Sequence, residues 1–132
     1  MGAFNNRWTL QKTSDLSFVF AEDNERMWIE ERGPSRRVWS VHLGPQNDVT
    51  EDFGLVTRLL NSTTGHVLIA AAGLAANGTQ AAGEFISRQD FLAEGLRTAP
   101  PDWQKKNLQV VVATTVTDAV AGPSRVIAAY FW

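Results

Sequence analysis

Apolar and polar residues alternate with a period of two along several short stretches of the chain, and this alternation predicts a strand-rich domain. Leu16, Phe18 and Phe20 alternate across Leu16 to Ala21, while Met27 and Ile29 oppose Trp28 across Arg26 to Glu31. With the polar turn Glu22-Asp23-Asn24-Glu25 between them, the two stretches predict an antiparallel hairpin. Gly33-Pro34-Ser35 breaks it, Arg36 to His42 alternates again as a third short strand, and Leu43 to Glu51 reads as loop. A second hairpin joins Asp52 to Leu60 with His66 to Ala71 through the turn Asn61 to Gly65. The β-branched run Asn107 to Thr117 and the stretch Arg125 to Trp132, either side of an Asp118 to Pro123 loop, predict a third.

Helical spacing replaces alternation in three places. From Thr79, whose hydroxyl suits an N-cap, Ala81, Ala82, Phe85 and Ile86 fall on one face. Ser87 predicts the cap of a second helix, with Asp90 three residues on and Phe91, Leu92 and Leu96 on one side, ending before Pro100-Pro101. Asn5 or Asn6 caps a short helix over Arg7 to Thr13, with Trp8 and Leu10 turned inward. The expected fold is α/β in the broad sense (α+β): a mixed, largely antiparallel sheet with about three helices packed on it.

At 132 residues, 44% apolar and 20% charged, the chain fits one globular domain over 1–132. A formal charge of −2 and basic runs no longer than Arg36-Arg37 or Lys105-Lys106 give no nucleic-acid groove. Zero cysteines exclude disulfides and thiolate metal sites, and leave the redox compartment open. No 18-residue apolar stretch exists, so no membrane insertion of this chain is expected; as it stands it reads as soluble, and cytoplasmic if expressed alone. Met1-Gly2-Ala3-Phe4-Asn5-Asn6 enters turn-like residues directly, which reads as the later part of a larger domain. A myristoylation signal on Gly2 is disfavoured by Asn6, where Ser or Thr is preferred.

Candidate chemistry centres on the passage from the His66 to Ala71 strand into the Thr79 helix. Gly73 and Gly78 have the spacing of a phosphate-binding loop, but Thr79 stands where that loop needs a lysine, which excludes nucleotide hydrolysis. GxGxxG and GxSxG are absent, and His42 and His66 have no ligand partner at helical spacing, so no metal, no cofactor and no enzymatic activity is expected. What the passage does offer is a helix start whose N–H groups and dipole favour a polar or anionic ligand. The candidate ligand-binding residues are Gly73, Asn77, Gly78, Thr79 and Glu84, with Asn5, Asn6 and Trp8 as a companion turn. Each has a plainer role. Gly73, Gly78 and Gly83 suit a tight turn and close helix-to-sheet packing, the weightier reading; Glu84 complements the helix dipole, Asn5 and Asn6 cap, and Trp8 packs. The five tryptophans, at 8, 28, 39, 103 and 132, are expected mostly in the core, and Trp103-Gln104-Lys105-Lys106 in a solvated loop.

GAFNNRWTL, AGLAANGTQAAGEF, APPDWQKKNLQVV and RVIAAYFW together resemble the C-terminal portion of uncharacterised acidobacterial proteins. In those proteins a winged-helix-like regulatory segment is followed by one transmembrane helix and a Rossmann-like distal domain. The resemblance implies that this chain is the later part of that domain, a truncated Rossmann-like unit, and that it serves as a sensor. The expected function is therefore non-enzymatic sensing of a small polar or anionic molecule at the glycine-rich loop. The alternative is a protein-interaction module pairing through an exposed sheet edge, as a homo-oligomer or with the missing N-terminal half.

Overall fold

Phe18 and Phe20 on β1 (Phe18–Glu22) and Ile29 on β2 (Met27–Glu31) are buried where alternation turns them inward, and the two strands pair antiparallel. In this computed structural model residues 16–60 and 66–132 are described. Asn5, Asn6, Trp8, the helix expected over Arg7 to Thr13 and the Asn61 to Gly65 turn lie outside the described residues. β3 (Val38–Ser40) pairs antiparallel with β2 and completes a three-stranded sheet.

A six-stranded sheet is built on β5 (Val49–Leu59). One of its edges pairs with β4 (His42–Leu43) and β6 (Leu68–Gly73), the other with β7 (Leu108–Thr117). β7 in turn pairs with β8 (Val120–Ala121) and β9 (Arg125–Phe131). The loop expected over Leu43 to Glu51 is shorter than the sequence suggests, because Gly44 N–H donates to the Asp48 carbonyl at 2.7 Å and Asn47 takes a positive φ of 61°, closing β4 and β5 into a hairpin. Two helices follow β6: α1 (Ala76–Ser87) and α2 (Gln89–Gly95), then a 3₁₀ turn at Trp103–Lys105.

Every pairing among the described residues is antiparallel. β6 and β7 both run against β5, so they are parallel to each other with β5 between them, and α1 and α2 form the crossover. A Rossmann-like unit sets such strands side by side. The truncated Rossmann-like reading is therefore corrected to a split β–α–β arrangement in a largely antiparallel α/β fold; two of the expected helices are among the described residues, and the one expected over Arg7 to Thr13 lies outside them.

The central sheet is covered on both faces. Val56, Leu108, Val110 and Val112 pack against Ala81, Ala82 and Phe85 of α1, with Leu96 just past α2. Phe53, Leu55, Val111 and Ala113 pack against Phe18, Phe20 and Ile29 of the small sheet. Burial on both sides explains why Val110 to Ala113 reads as a continuous apolar run. Gln109, fully buried, pins the two sheets: its amide accepts from Phe18 N–H and donates to the Phe18 carbonyl, both at 2.9 Å, as a neighbouring strand would. The tryptophans among the described residues are not the core's filling. Trp39 and Trp103 pack only partly buried against it, Trp132 is exposed, and the large fully buried rings are Phe18 and Phe85. No helix among the described residues is long and apolar enough to cross a membrane.

Candidate functional site

Asp52, Gly54, Val56 and Arg58 lie two apart on β5, and all four face the helices. Each does something different there. Asp52 is fully buried, with Oδ2 accepting from Gly78 N–H at 2.7 Å and Oδ1 from Phe53 N–H at 2.8 Å. A carboxylate from a distant strand thus caps the first turn of α1, satisfying an orphan N–H and complementing the positive end of the helix dipole.

The first turn of α1 is pressed against the strands because three glycines leave out their side chains. A Cβ on Gly78 would stand 2.1 Å from the Phe53 carbonyl oxygen, one on Gly73 2.1 Å from Thr79 N, and one on Gly54 2.5 Å from the Gly78 carbonyl oxygen. Close helix-to-sheet packing is what Gly73 and Gly78 provide. Gly83 has no part in it, since a Cβ there meets nothing within 4 Å.

Several sequence expectations are corrected at this junction. The helix begins at Ala76, not Thr79; its N-cap is Ala75, without a side-chain bond, and the Thr79 hydroxyl instead donates back to the Ala75 carbonyl at 3.1 Å. Gly78, expected in an open loop, lies inside the first turn, and its N–H is committed to Asp52. Asn77 is half-buried beside it. Glu84 falls in the third turn, too far from the N-terminus to serve the dipole, and accepts from the Gln80 amide at 3.0 Å. Ser87 ends α1 rather than capping α2, whose N-cap is Arg88. The junction thus brings Gly73, Asn77, Gly78 and Thr79 together and leaves Glu84 two turns away.

At the other end of the same face, Arg58 lines a cavity of about 170 Å³ between β5, β6, α1, α2 and the 3₁₀ turn. Its remaining walls are apolar: Val56, Ile69, Phe85, Leu92, Leu96 and Trp103 are among them. Arg58 Nη2 donates to the carbonyls of Trp103 and Lys106, both at 2.6 Å, and the guanidinium lies 5.4 Å from the Trp103 ring centre. Its Nε is buried and, among the described residues, has no hydrogen-bond partner. Among the described residues no carboxylate forms an ion pair with it. Desolvation lowers its pKa from the ordinary value, without threatening its charge at neutral pH. Ile69, 55% exposed, and Ile86, 39% exposed, stand at the rim and give the cavity an opening.

Sequence reasoning passed over both Asp52 and Arg58. The available signal was their position: in DFGLVTRLL they share the parity of Val56, so a buried strand face carries one acid and one base. Elsewhere, His42 Nδ1 and Glu51 Oε1 are 3.0 Å apart, and Glu51 also bonds Arg125. That chain of polar contacts crosses the sheet at an exposed end, and its members are mutually paired. His66 precedes β6 and is exposed rather than lying in the strand. Comparison of the chain with protein-family models, with curated proteins and with solved structures gives no match.

Proposed function

We propose that this chain is a non-enzymatic small-molecule-binding domain, and that its site is the cavity at Arg58 rather than the start of α1. The observation that carries the proposal is a cation without an acidic partner in the wall of an otherwise apolar cavity. Such a combination, mostly apolar with one well-placed polar group, is what ligand sites offer. The helix start lacks that capacity, because Asp52 already supplies the anion there and the glycines bring backbone into the space a ligand would need.

A thermal-shift screen of small organic acids tests this. Stabilisers are expected for the unaltered chain and not for Leu92→Trp, which fills the cavity. A screen without stabilisers, or stabilisation that survives Leu92→Trp in a folded protein, contradicts the proposal.

One observation favours a second reading, an assembly module. β9 leaves its outer edge unpaired among the described residues, and Val126 to Trp132 contains no charged residue to guard it. Tyr130 and Trp132 stack there at 5.3 Å, both exposed. Light scattering that shows concentration-dependent association, abolished by Ala129→Lys, is the expected outcome of that reading; a strict monomer contradicts it.

A further inference from the structure

We infer that the free edge of β9 pairs antiparallel with β9 of a second copy about a twofold axis at Tyr130, joining the two central sheets into one. This deepens the assembly reading of that edge and rests on it. Asn107 and Trp132 exchange both main-chain bonds, at 2.9 and 3.1 Å. Alternation from that pair turns the N–H and C=O groups of Tyr130 and Ala128 toward β7 and those of Ala129 and Phe131 outward. Among the described residues no strand pairs with those outward groups.

The bulge and the residue sizes select the register. A shift between Val111 and Val112 leaves Ile127 without a partner on β7, and regular pairing ends there. A twofold at Ala129 would set Phe131 against that bulge. A twofold at Tyr130 avoids it and sets Ala129 of each copy opposite Phe131 of the other, each pair exchanging both main-chain bonds. In Ala128-Ala129-Tyr130-Phe131-Trp132 the large rings then meet alanines, Phe131 against Ala129 and Trp132 against Ala128. Ala129 and Phe131 lie opposite Val110 and Leu108, on the helix side, where they border an open groove of about 600 Å³ walled by Phe91, Ala99 and Pro100. That groove gives the incoming Phe131 ring its room. On the other side, the exposed stack of Tyr130 and Trp132 continues into its counterpart. Val126 to Trp132 carries no charge, so the twofold opposes no like charges. These features are complementary to themselves, which is what a second copy supplies.

The chain has no cysteine, so one introduced thiol reports one distance. Tyr130 faces itself across the axis as a non-hydrogen-bonded pair, with Cα atoms about 4.5 Å apart and within disulfide reach. Under mild oxidation Tyr130→Cys is expected to give a disulfide-linked dimer and Ala128→Cys none. Light scattering of the unaltered chain is expected to stop at twice the chain mass, because the twofold uses up the edge. If Tyr130→Cys does not associate, Ala129→Phe carries the test: the site is exposed in the single chain, but the new ring opposes Phe131, and association should weaken at least about tenfold. Linking through Ala128→Cys instead of Tyr130→Cys, or undiminished association of Ala129→Phe, overturns this pairing and leaves the assembly reading. Species larger than a dimer overturn the twofold. A chain that stays monomeric at millimolar concentration overturns the inference and the assembly reading together, and leaves the ligand reading of the Arg58 cavity untouched.

Discussion

At one end of the helix-facing side of β5, Asp52 accepts two main-chain N–H groups and three glycines press backbone onto backbone; at the other, Arg58 keeps a buried donor unanswered beside a cavity of about 170 Å³. The first end looks, in sequence, like a ligand loop. Its chemistry is nevertheless internal: the anion that a helix start attracts comes from the protein itself, and the room that glycines create is taken by the neighbouring strand. The second end has no glycine motif at all. The difference shows that glycines near a helix start report close approach of something, and that the something can be the protein's own backbone. A site needs space beside a polar group, and of the two ends only the Arg58 end offers that, with a cation that has no acidic partner among the described residues.

Substitutions break this comparison in a graded order. Gly78→Leu has the largest expected effect, because its side chain must displace the Phe53 carbonyl of a central strand. It should cost more than about 4 kcal/mol and yield an unfolded or insoluble chain, as read by circular dichroism. Survival of a cooperative fold would show the junction to be looser than its contacts imply.

Asp52→Ala comes next, leaving the Gly78 and Phe53 N–H groups buried without acceptors and the helix dipole unanswered. A loss of about 3 kcal/mol in denaturant unfolding is expected. Asp52→Asn, which keeps one acceptor oxygen, should lose less.

Arg58→Met should cost less than about 1.5 kcal/mol, since replacing a half-buried charge that lacks an acidic partner by an apolar chain of similar length removes a desolvation cost along with two hydrogen bonds. Binding, not folding, is what this variant should lose. Gly83→Ala has the smallest expected effect and the opposite sign: with nothing within 4 Å of the new Cβ, it should stabilise α1 by about 1 kcal/mol. Together the four variants separate glycine as packing device from glycine as mere helix weakness, and charge as capping group from charge as binding group.

Much of the fold was legible in the residues. The hairpin of β1 with β2 follows from alternation, and that of β5 with β6 and the pairing of β7 with β9 from apolar or β-branched runs bounded by turn residues. Helix positions were legible and their starts were not. Thr79 and Ser87 have the right side chains for caps, yet the first cap comes from Asp52, 26 residues away, and no local pattern carries that information. The split arrangement of β6 and β7 around β5 was equally hidden, because strand order is settled by which faces find each other. The glycines were legible as packing residues, and the structure gives that role to Gly73 and Gly78 while removing it from Gly83. Of the cavity's walls, Phe85, Ile86, Leu92 and Leu96 were legible as apolar helix faces, and Trp103 as part of a solvated loop. Arg58 was visible as a charge in an apolar strand, but its cavity exists only once α1, α2 and the 3₁₀ turn close over it.

Amide, Arg Nε–H and indole N–H spectra recorded during titration with benzoate test the central claim most directly. Progressive shifts at Arg58 Nε–H and the Trp103 indole, with the Gly78 amide unmoved, are the result expected if the ligand site lies at the Arg58 end of β5. Shifts centred on Gly78 and Asn77, with Arg58 and Trp103 silent, would contradict it and return the site to the helix start.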